Sequence, residues 1–460
     1  MRPVNQGPRR RSEPLNSLFK GLFLIVMTSL GGIMAYAQPN IIVILADDLG
    51  YNDVGYMGGT LTSTPNIDAI AESGVWFTNG YSSCPVCAPG RAGFLTGRYQ
   101  NRFGFEDNPG PFRRSAETVP GIPHNEKIFS EYFADWDYTS AIIGKWHEEN
   151  VPIRNPVNRS FDEFFGFING ASGYFIKENA KGRLVRGETA VEHEYEYLTD
   201  AFGREAVSFI DRNKDKPFLL YVSFNAPHGP LQAPEEYLEK FIHIQDKKKR
   251  ALAAMIYSMD ENVGKIMSCI RDENLEERTL IFFYSDNGGV YELSDNTPLR
   301  SGKQDIYEGG IRVPFCMQWK GHLPENKRID APVISLDILP TAIAATGRPV
   351  DREWFLDGVN LLPYIKGETD KEPHEVLYWR FLWHHAIRKG DWKLLKHRDH
   401  PEPELYNLSE DVGEQKDLSG EYPEIFKELQ EMYTQWSDMM PDPQWGWQPE
   451  YSGDYKIEKN

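Results

Sequence analysis

The sequence predicts an α/β protein with two parts. The first is a large, mostly parallel sheet flanked by helices. The second, C-terminal part is a smaller antiparallel sheet with one helix. Three observations predict this. Continuous β-branched runs such as Asn40–Ala46 lack the alternation of a half-exposed strand, so both faces are buried, as in parallel sheets. Such runs alternate with segments of helical spacing as far as Ala345. After about residue 370 the texture changes to short strands separated by turns. A length of 460 residues is ample for both parts.

Residues 1–37 read as an export signal: a basic start, an apolar core over 21–34, and Ala35-Tyr36-Ala37 as a cleavage site. The apolar run is short for a bilayer span, so no membrane anchor is expected. Asn40–Ala46 is the first strand and ends in Asp47-Asp48. Thr64-Pro65 begins a helix through Ala71, closed by Gly74, and Val75–Tyr81 is the next strand. Pro89 and Gly90 open a helix that places Cys87 just before its first turn and Arg91 on the same side one turn later. Ala141–Gly144 runs into Lys145-Trp146-His147, where Lys145 and His147 share a face if the segment is extended.

Pro217–Phe224 is another buried strand, leading to His228 among prolines, a fixed loop residue that is either structurally satisfied or catalytic. Ala251–Ile270 has helical spacing behind the basic entrance Lys247–Arg250. Leu280–Tyr284 is a strand ending in Ser285-Asp286-Asn287-Gly288-Gly289. A polar, Gly-rich connection, Pro298–Pro314, carries Lys303, and Ser335–Ala345 is a helix. Val376–Trp379, His385–Arg388 and Trp392–Lys396 are short strands, and Tyr422–Trp436 is an amphipathic helix. The boundaries that follow are a signal peptide over 1–37, a catalytic domain over 38–370 and a C-terminal subdomain over 371–460. The tail Pro441–Tyr451, with Trp445 and Trp447, reads as a docked extension or a sugar-stacking lip.

A net charge of −18 repels nucleic acid and anionic membranes, so neither is expected as a partner. An anionic substrate would then need a local basic pocket. Four cysteines are too few for a disulfide scaffold. Asp47, Asp48, Asp286 and Asn287 offer side-chain oxygens from two strand ends, where open α/β sheets place ligands. Hard oxygen donors suit Ca²⁺, which takes roughly 6–8 of them. Arg91, Lys145 and Lys303 supply the basic pocket.

Cys87-Ala88-Pro89-Gly90-Arg91 resembles the C-x-P-x-R core of the formylglycine-dependent (type I) sulfatases of the alkaline phosphatase superfamily, and Leu95-Thr96-Gly97-Arg98 resembles the end of the same motif. Asp47-Asp48, Gly144–His147, His228, Asp286-Asn287 and Lys303 follow in family order, and Ala386–Leu394 and Glu404–Leu408 look like the family's C-terminal region. The resemblance implies an alkaline-phosphatase-like fold, a Cys87 converted to formylglycine by a maturating enzyme, and one Ca²⁺ per chain, with Mg²⁺ as runner-up. It implies that Asp47, Asp48, Asp286, Asn287 and the modified Cys87 hold the ion. It further implies that Asp286 helps deprotonate the hydrated aldehyde, whose oxygen attacks sulfur. Arg91, Lys145 and Lys303 would bind sulfate, His228 would protonate the leaving alkoxide, and His147 would take the last hydroxyl proton. Cys84 is expected to be structural, although Cys84-Pro85-Val86-Cys87 is also a C-x-x-C.

With a signal peptide, this resemblance points to a periplasmic or secreted carbohydrate sulfatase. Oligosaccharides of an algal polysaccharide such as ulvan or carrageenan are the first expectation, and glycosaminoglycans the second. A formylglycine-dependent phosphodiesterase or phosphonate monoester hydrolase is a rival chemistry. A non-catalytic binder of sulfated glycans is a rival of a different class. Tyr378-Trp379-Arg380 and Trp383-His384-His385 offer aromatic and basic groups for a sugar, or packing between the two parts.

Overall fold

A computed structural model describes residues 38–148, 151–175, 184–191 and 197–447. The expected signal peptide lies outside the described residues. The described residues form one compact unit.

Ten strands form the main sheet, in the order Lys327–Ile329, Val75–Phe77, Phe315–Gln318, Thr279–Ser285, Asn40–Asp47, Phe218–Pro227, Thr139–Lys145, Glu163–Phe167, Val185–Arg186 and Thr189–Ala190. Its centre is parallel: Asn40–Asp47 pairs with Thr279–Ser285 on one side and Phe218–Pro227 on the other, and Thr139–Lys145 follows. The first strand shows why the β-branched run takes this place. Ile42, Ile44 and Ala46 enter one core, which contains the helices Pro65–Glu72, Leu198–Asn213 and Lys247–Asp272. Ile41, Val43 and Leu45 enter a second core, with the helices Cys87–Thr96, Phe129–Ala134 and Ile338–Ala345. A period of two over a wholly apolar run therefore feeds two helical layers at once.

Local chemistry sets the ends of the elements. Helix Lys247–Asp272 starts where the Asp246 carboxylate accepts from the backbone N–H groups of Lys248 and Lys249. Helix Cys87–Thr96 stops at Gly97, whose φ of 64° and N–H bond to Gly93 make a left-handed cap. Cys87 is the first residue of this helix rather than the residue before it.

The expected strand Val75–Tyr81 is two strands. Val75–Phe77 pairs in the main sheet, and Gly80–Tyr81 pairs with Val333–Ile334. Thr78 and Asn79 turn the chain between them, with both side chains bonded to Asp330.

Val376–Phe381, His384–Lys389, Trp392–Lys396 and Glu404–Asn407 form the antiparallel C-terminal sheet, in that order, and helix Pro423–Ser437 packs on it. The sheet shares its core with Tyr81, Val86, Ile306, Tyr307 and Ile311, so the boundary near residue 370 is a change of sheet. Arg380 is buried against Glu106, which its Nε reaches at 2.7 Å, and Tyr378 stacks on Trp436. Of the two readings of that segment, these residues take the packing one. The tail is docked through Trp445–Gly446, which pairs with Phe112–Arg113, while Trp447 is exposed.

One polar junction fastens this sheet to the segment that follows Lys303. The ammonium of Lys393, wholly buried, lies 2.9 Å from Glu308 and 2.8 Å from Glu414. Arg312 also reaches Glu308, at 3.3 Å. Burial pushes Glu414 up to about 7, against the pull of Lys393. Replacing Lys393 by Met strands Glu414 without a cation and leaves Glu308 with Arg312 alone. We expect Lys393→Met to lose about 3–5 kcal/mol in denaturant unfolding, as when one partner of a buried pair is removed. A loss below about 1 kcal/mol, the range of exposed pairs, would contradict a buried role.

Candidate active site

Four adjacent parallel strands end on one edge, and each delivers site residues there. In sheet order, Thr279–Ser285 leads to Asp286 and Asn287, Asn40–Asp47 ends at Asp47 before Asp48, Phe218–Pro227 leads to His228, and Thr139–Lys145 ends at Lys145 before His147. This is the carboxyl edge, where an open α/β sheet leaves its crevice. Asp48 and His147 follow their strands with φ of 66° and 64°, left-handed values that are uncommon for residues with side chains. Gly144, at φ +121°, lets two strands close up: a Cβ there would lie 1.9 Å from the carbonyl oxygen of Ser223.

Cys87 enters from the helix Cys87–Thr96, all ten residues of which are buried. Ligand atoms of Asp47, Asp48, Cys87 and His228 lie within 4.8 Å of one another. Asp286 is held beside this group: Arg91 Nε donates to its Oδ2 at 2.9 Å, and the Asp48 N–H donates to its Oδ1 at 3.2 Å. Asn287 Nδ2 donates to Asp48 Oδ1 at 2.8 Å.

Basic groups match these carboxylates one for one. Lys145 Nζ lies 2.7 Å from Asp47, Lys303 Nζ lies 2.7 Å from Asp48, and Arg91 bridges Asp286 and Asp47. Arg91 sits fully buried behind the site, with its Nη1 donating to the carbonyl of Lys145 and the hydroxyl of Ser223. Expected as a sulfate-binding group, it is placed here as the anchor of Asp286 and Lys145.

Ser223 is a residue that the sequence reading missed. Its hydroxyl accepts from Arg91 and donates to the Lys145 carbonyl at 2.6 Å. A serine inside an apolar strand run was the available signal.

Charge and burial split the two histidines. His147 is pushed well below the usual imidazole range, by burial first and then by Lys145 and Arg91. His228 is raised: burial opposes its charge, but Asp47 and Asp48 outweigh that loss. Its Nδ1 is 2.6 Å from the Gly229 carbonyl, so Nδ1 carries the donated proton and Nε2 faces Asp48 at 3.6 Å. His147 is thus shifted toward its neutral form and His228 toward its protonated form, the directions that suit a base and an acid. Burial and Asp47 push Asp286 up to about 6, against Arg91.

The thiols also separate. Burial would raise Cys87, but Lys145 and Lys303 bring it down to about 7. Cys84, equally buried, is held well above the thiol range. Of the two buried thiols, Cys87 is the one whose surroundings favour the thiolate.

The donor set fits a hard divalent cation. Asp47 Oδ1 and Asn287 Oδ1 are buried and lack a hydrogen-bond partner among the described residues. Oxygens so placed are costly unless something positive meets them. Asn287 turns its amide nitrogen to Asp48 and leaves its oxygen free, the orientation a cation needs.

Comparison with known proteins agrees with this geometry. The sequence profile "Sulfatase" matches residues 39–348, and "N-sulphoglucosamine sulphohydrolase, C-terminal" matches 301–438. N-acetylgalactosamine-6-sulfatase of Mus musculus is 31% identical over 395 residues, covering 80% of this chain and 74% of its own. Arylsulfatase D of Homo sapiens is 29% identical over 448 residues, covering 78% and 74%. Among solved structures, Ps i-CgsB superposes with a TM-score of 0.83 at 36% identity, covering 90% of this chain and 96% of its own. Its complex with k-i-k-neocarrahexaose gives 0.82 at the same identity and coverage. By sequence and by fold, the chain belongs to the sulfatase family and is a sulfuric ester hydrolase.

Proposed function

We propose that the protein removes sulfate from oligosaccharides of a carrageenan-type polysaccharide, using a formylglycine made from Cys87 and one bound Ca²⁺. The observation that carries the substrate class is the likeness to Ps i-CgsB, solved with k-i-k-neocarrahexaose, at 36% identity over nine-tenths of this chain. The likeness to N-acetylgalactosamine-6-sulfatase supports a glycosaminoglycan as the second reading. Export through residues 1–37 and a maturating enzyme for Cys87 belong to the same proposal.

Asp47, Asp48, Asp286, Asn287 and the modified residue 87 would hold the ion, which supplies positive charge for a sulfate oxygen. The three carboxylates are already balanced by Arg91, Lys145 and Lys303, so a divalent ion leaves the site net positive and ready for an anionic ester. Formylglycine supplies, when hydrated, an attacking hydroxyl and a second hydroxyl through which sulfate is released. Asp286 stands beside residue 87 to accept the first proton. His228 Nε2, which holds its proton to higher pH than a free imidazole, gives a proton to the leaving sugar oxygen. His147, kept neutral, takes the last hydroxyl proton. Lys145 and Lys303 offer their ammonium groups to the sulfate.

Sulfate release across defined carrageenan, ulvan and glycosaminoglycan oligosaccharides tests the substrate. Turnover confined to glycosaminoglycans would transfer the protein to the second reading.

Peptide mass spectrometry over residues 81–98 of active protein tests the nucleophile. An aldehyde at Cys87 is expected, with Cys84 unchanged. Fully active protein carrying an intact Cys87 thiol would refute the assignment.

The His228 assignment predicts a pH effect with a definite sign. Because its pKa is raised, the group holds its proton to higher pH than a free imidazole and loses it as pH climbs past that value. Wild-type kcat on a sugar sulfate should therefore fall on the alkaline side. His228→Ala should lose about 10²–10⁴-fold on that substrate and far less on 4-nitrophenyl sulfate, whose leaving group needs no proton. Equal losses on both would assign His228 another role.

Chelation should abolish turnover and lower the melting temperature, with Ca²⁺ restoring both. Full activity in verified metal-free protein would exclude the ion.

A further inference from the structure

A second group of metal-ligating side chains lies outside the catalytic constellation. Asp305, His384 and His397 each offer one ligand atom, and these atoms lie within 4.8 Å of one another. They come from three separate places: the polar segment after Lys303, the start of strand His384–Lys389, and the residue after strand Trp392–Lys396. The rings of His384 and His397 are 4.4 Å apart between centroids. Nε2 of His397 stands 3.6 Å from Asp305 Oδ1, too far for a hydrogen bond. His384 is 5% exposed, and its Nδ1 is buried without a hydrogen-bond partner among the described residues. Two imidazoles packed at a tilt of 46° beside a carboxylate, with a polar atom left unpaired, make a poor apolar core and a serviceable ligand set.

We propose that Asp305, His384 and His397 bind one Zn²⁺, which clamps the C-terminal sheet to the segment carrying Lys303. Two imidazole nitrogens and one carboxylate oxygen suit zinc and its neighbours in the transition series, not Ca²⁺, which takes oxygen ligands. Three protein ligands leave a fourth tetrahedral position for water. The surroundings meet the demand for outer support. Ser301 Oγ donates to Asp305 Oδ2 at 2.6 Å, and the Ile306 N–H donates to Oδ1 at 2.7 Å, fixing the carboxylate. Nδ1 of His397 accepts the Asp399 N–H at 3.2 Å, which holds the ring with Nε2 toward Asp305; metal binding at Nε2 moves the ring proton to Nδ1 and gives up that bond. No net proton is gained or lost in that change of tautomer.

The position gives the clamp a purpose. Asp305 is two residues from Lys303, whose N–H is fixed to the Gly289 carbonyl, and the Gln304 N–H is fixed to the Pro85 carbonyl beside the Cys87 helix. A metal on Asp305 would tie the C-terminal sheet to both sides of the active site. The inference stands apart from the choice of substrate and from the chemistry at Cys87.

The test titrates Zn²⁺ into full-length protein held in millimolar Ca²⁺, with a chromophoric chelator reporting free Zn²⁺. Co²⁺ serves as a coloured substitute. Wild type should take up one equivalent that His397→Ala and Asp305→Asn bind at least about tenfold more weakly. The melting temperature should rise with Zn²⁺ in wild type and not in either variant. Co²⁺ should give intense visible bands only in wild type. Circular dichroism checks that both variants are folded, and His384→Leu, which suits a buried position, replaces either one that is not. Equal Zn²⁺ uptake in wild type and folded variants would place the metal elsewhere and overturn the proposal. So would the absence of any wild-type uptake.

Discussion

Three buried carboxylates at neighbouring strand ends are the constraint around which this protein is built. Asp47, Asp48 and Asp286 stand within one another's fields with almost no solvent to screen them. Left alone they would protonate or push the strands apart. Arg91, Lys145 and Lys303 prevent this, and each arrives from a different segment of the chain. Arg91 must come from a helix packed against the sheet, Lys145 from the last of the four adjacent strands counted from Asp286's, and Lys303 from the long polar connection. The site is thus a condition on the fold: unless all three segments dock, the carboxylates cannot share an edge.

The requirement propagates outward. Ser223 holds the Arg91 guanidinium against the Lys145 carbonyl, and Gly144 lets those two strands approach closely enough for it. Lys303 depends on its segment, and that segment depends on Glu308, Lys393 and Glu414. The C-terminal sheet is therefore part of the catalytic apparatus even where none of its side chains faces the ester. Its core residues Trp379, Leu394 and Tyr406 pack with Ile306 and Tyr307, only a few positions beyond the lysine.

Much of this was legible in the sequence, for identifiable reasons. A fully buried parallel strand writes itself as an uninterrupted β-branched run, so Asn40–Asp47, Phe218–Pro227 and Thr279–Ser285 were found nearly whole, and their polar ends marked the crevice. What the sequence hid was partnership. Nothing in the string pairs Arg91 with Asp286 rather than with a substrate anion, or Arg380 with Glu106 rather than with a sugar. Each is an arginine near useful neighbours, and only burial distinguishes the two fates. Ser223 hid for a related reason, since one hydroxyl in an apolar run does not disclose its bonds. The break at Thr78 and Asn79 hid because Asp330, which causes it, lies some 250 residues away.

The depth of Cys87 sets a timetable. The residue is 1% exposed, and a Cβ on Gly90, in the same first turn, would lie 2.8 Å from the Asp286 carbonyl oxygen. Asp286 is made 195 residues after Arg91. Any catalyst that oxidises this thiol has a window that opens when the Cys87 segment leaves the ribosome and shuts when the strand before Asp286 closes over it. Slower folding of the later half would lengthen that window, and faster folding would shorten it. For such a catalyst, the fraction of chains it reaches would be a race between two rates.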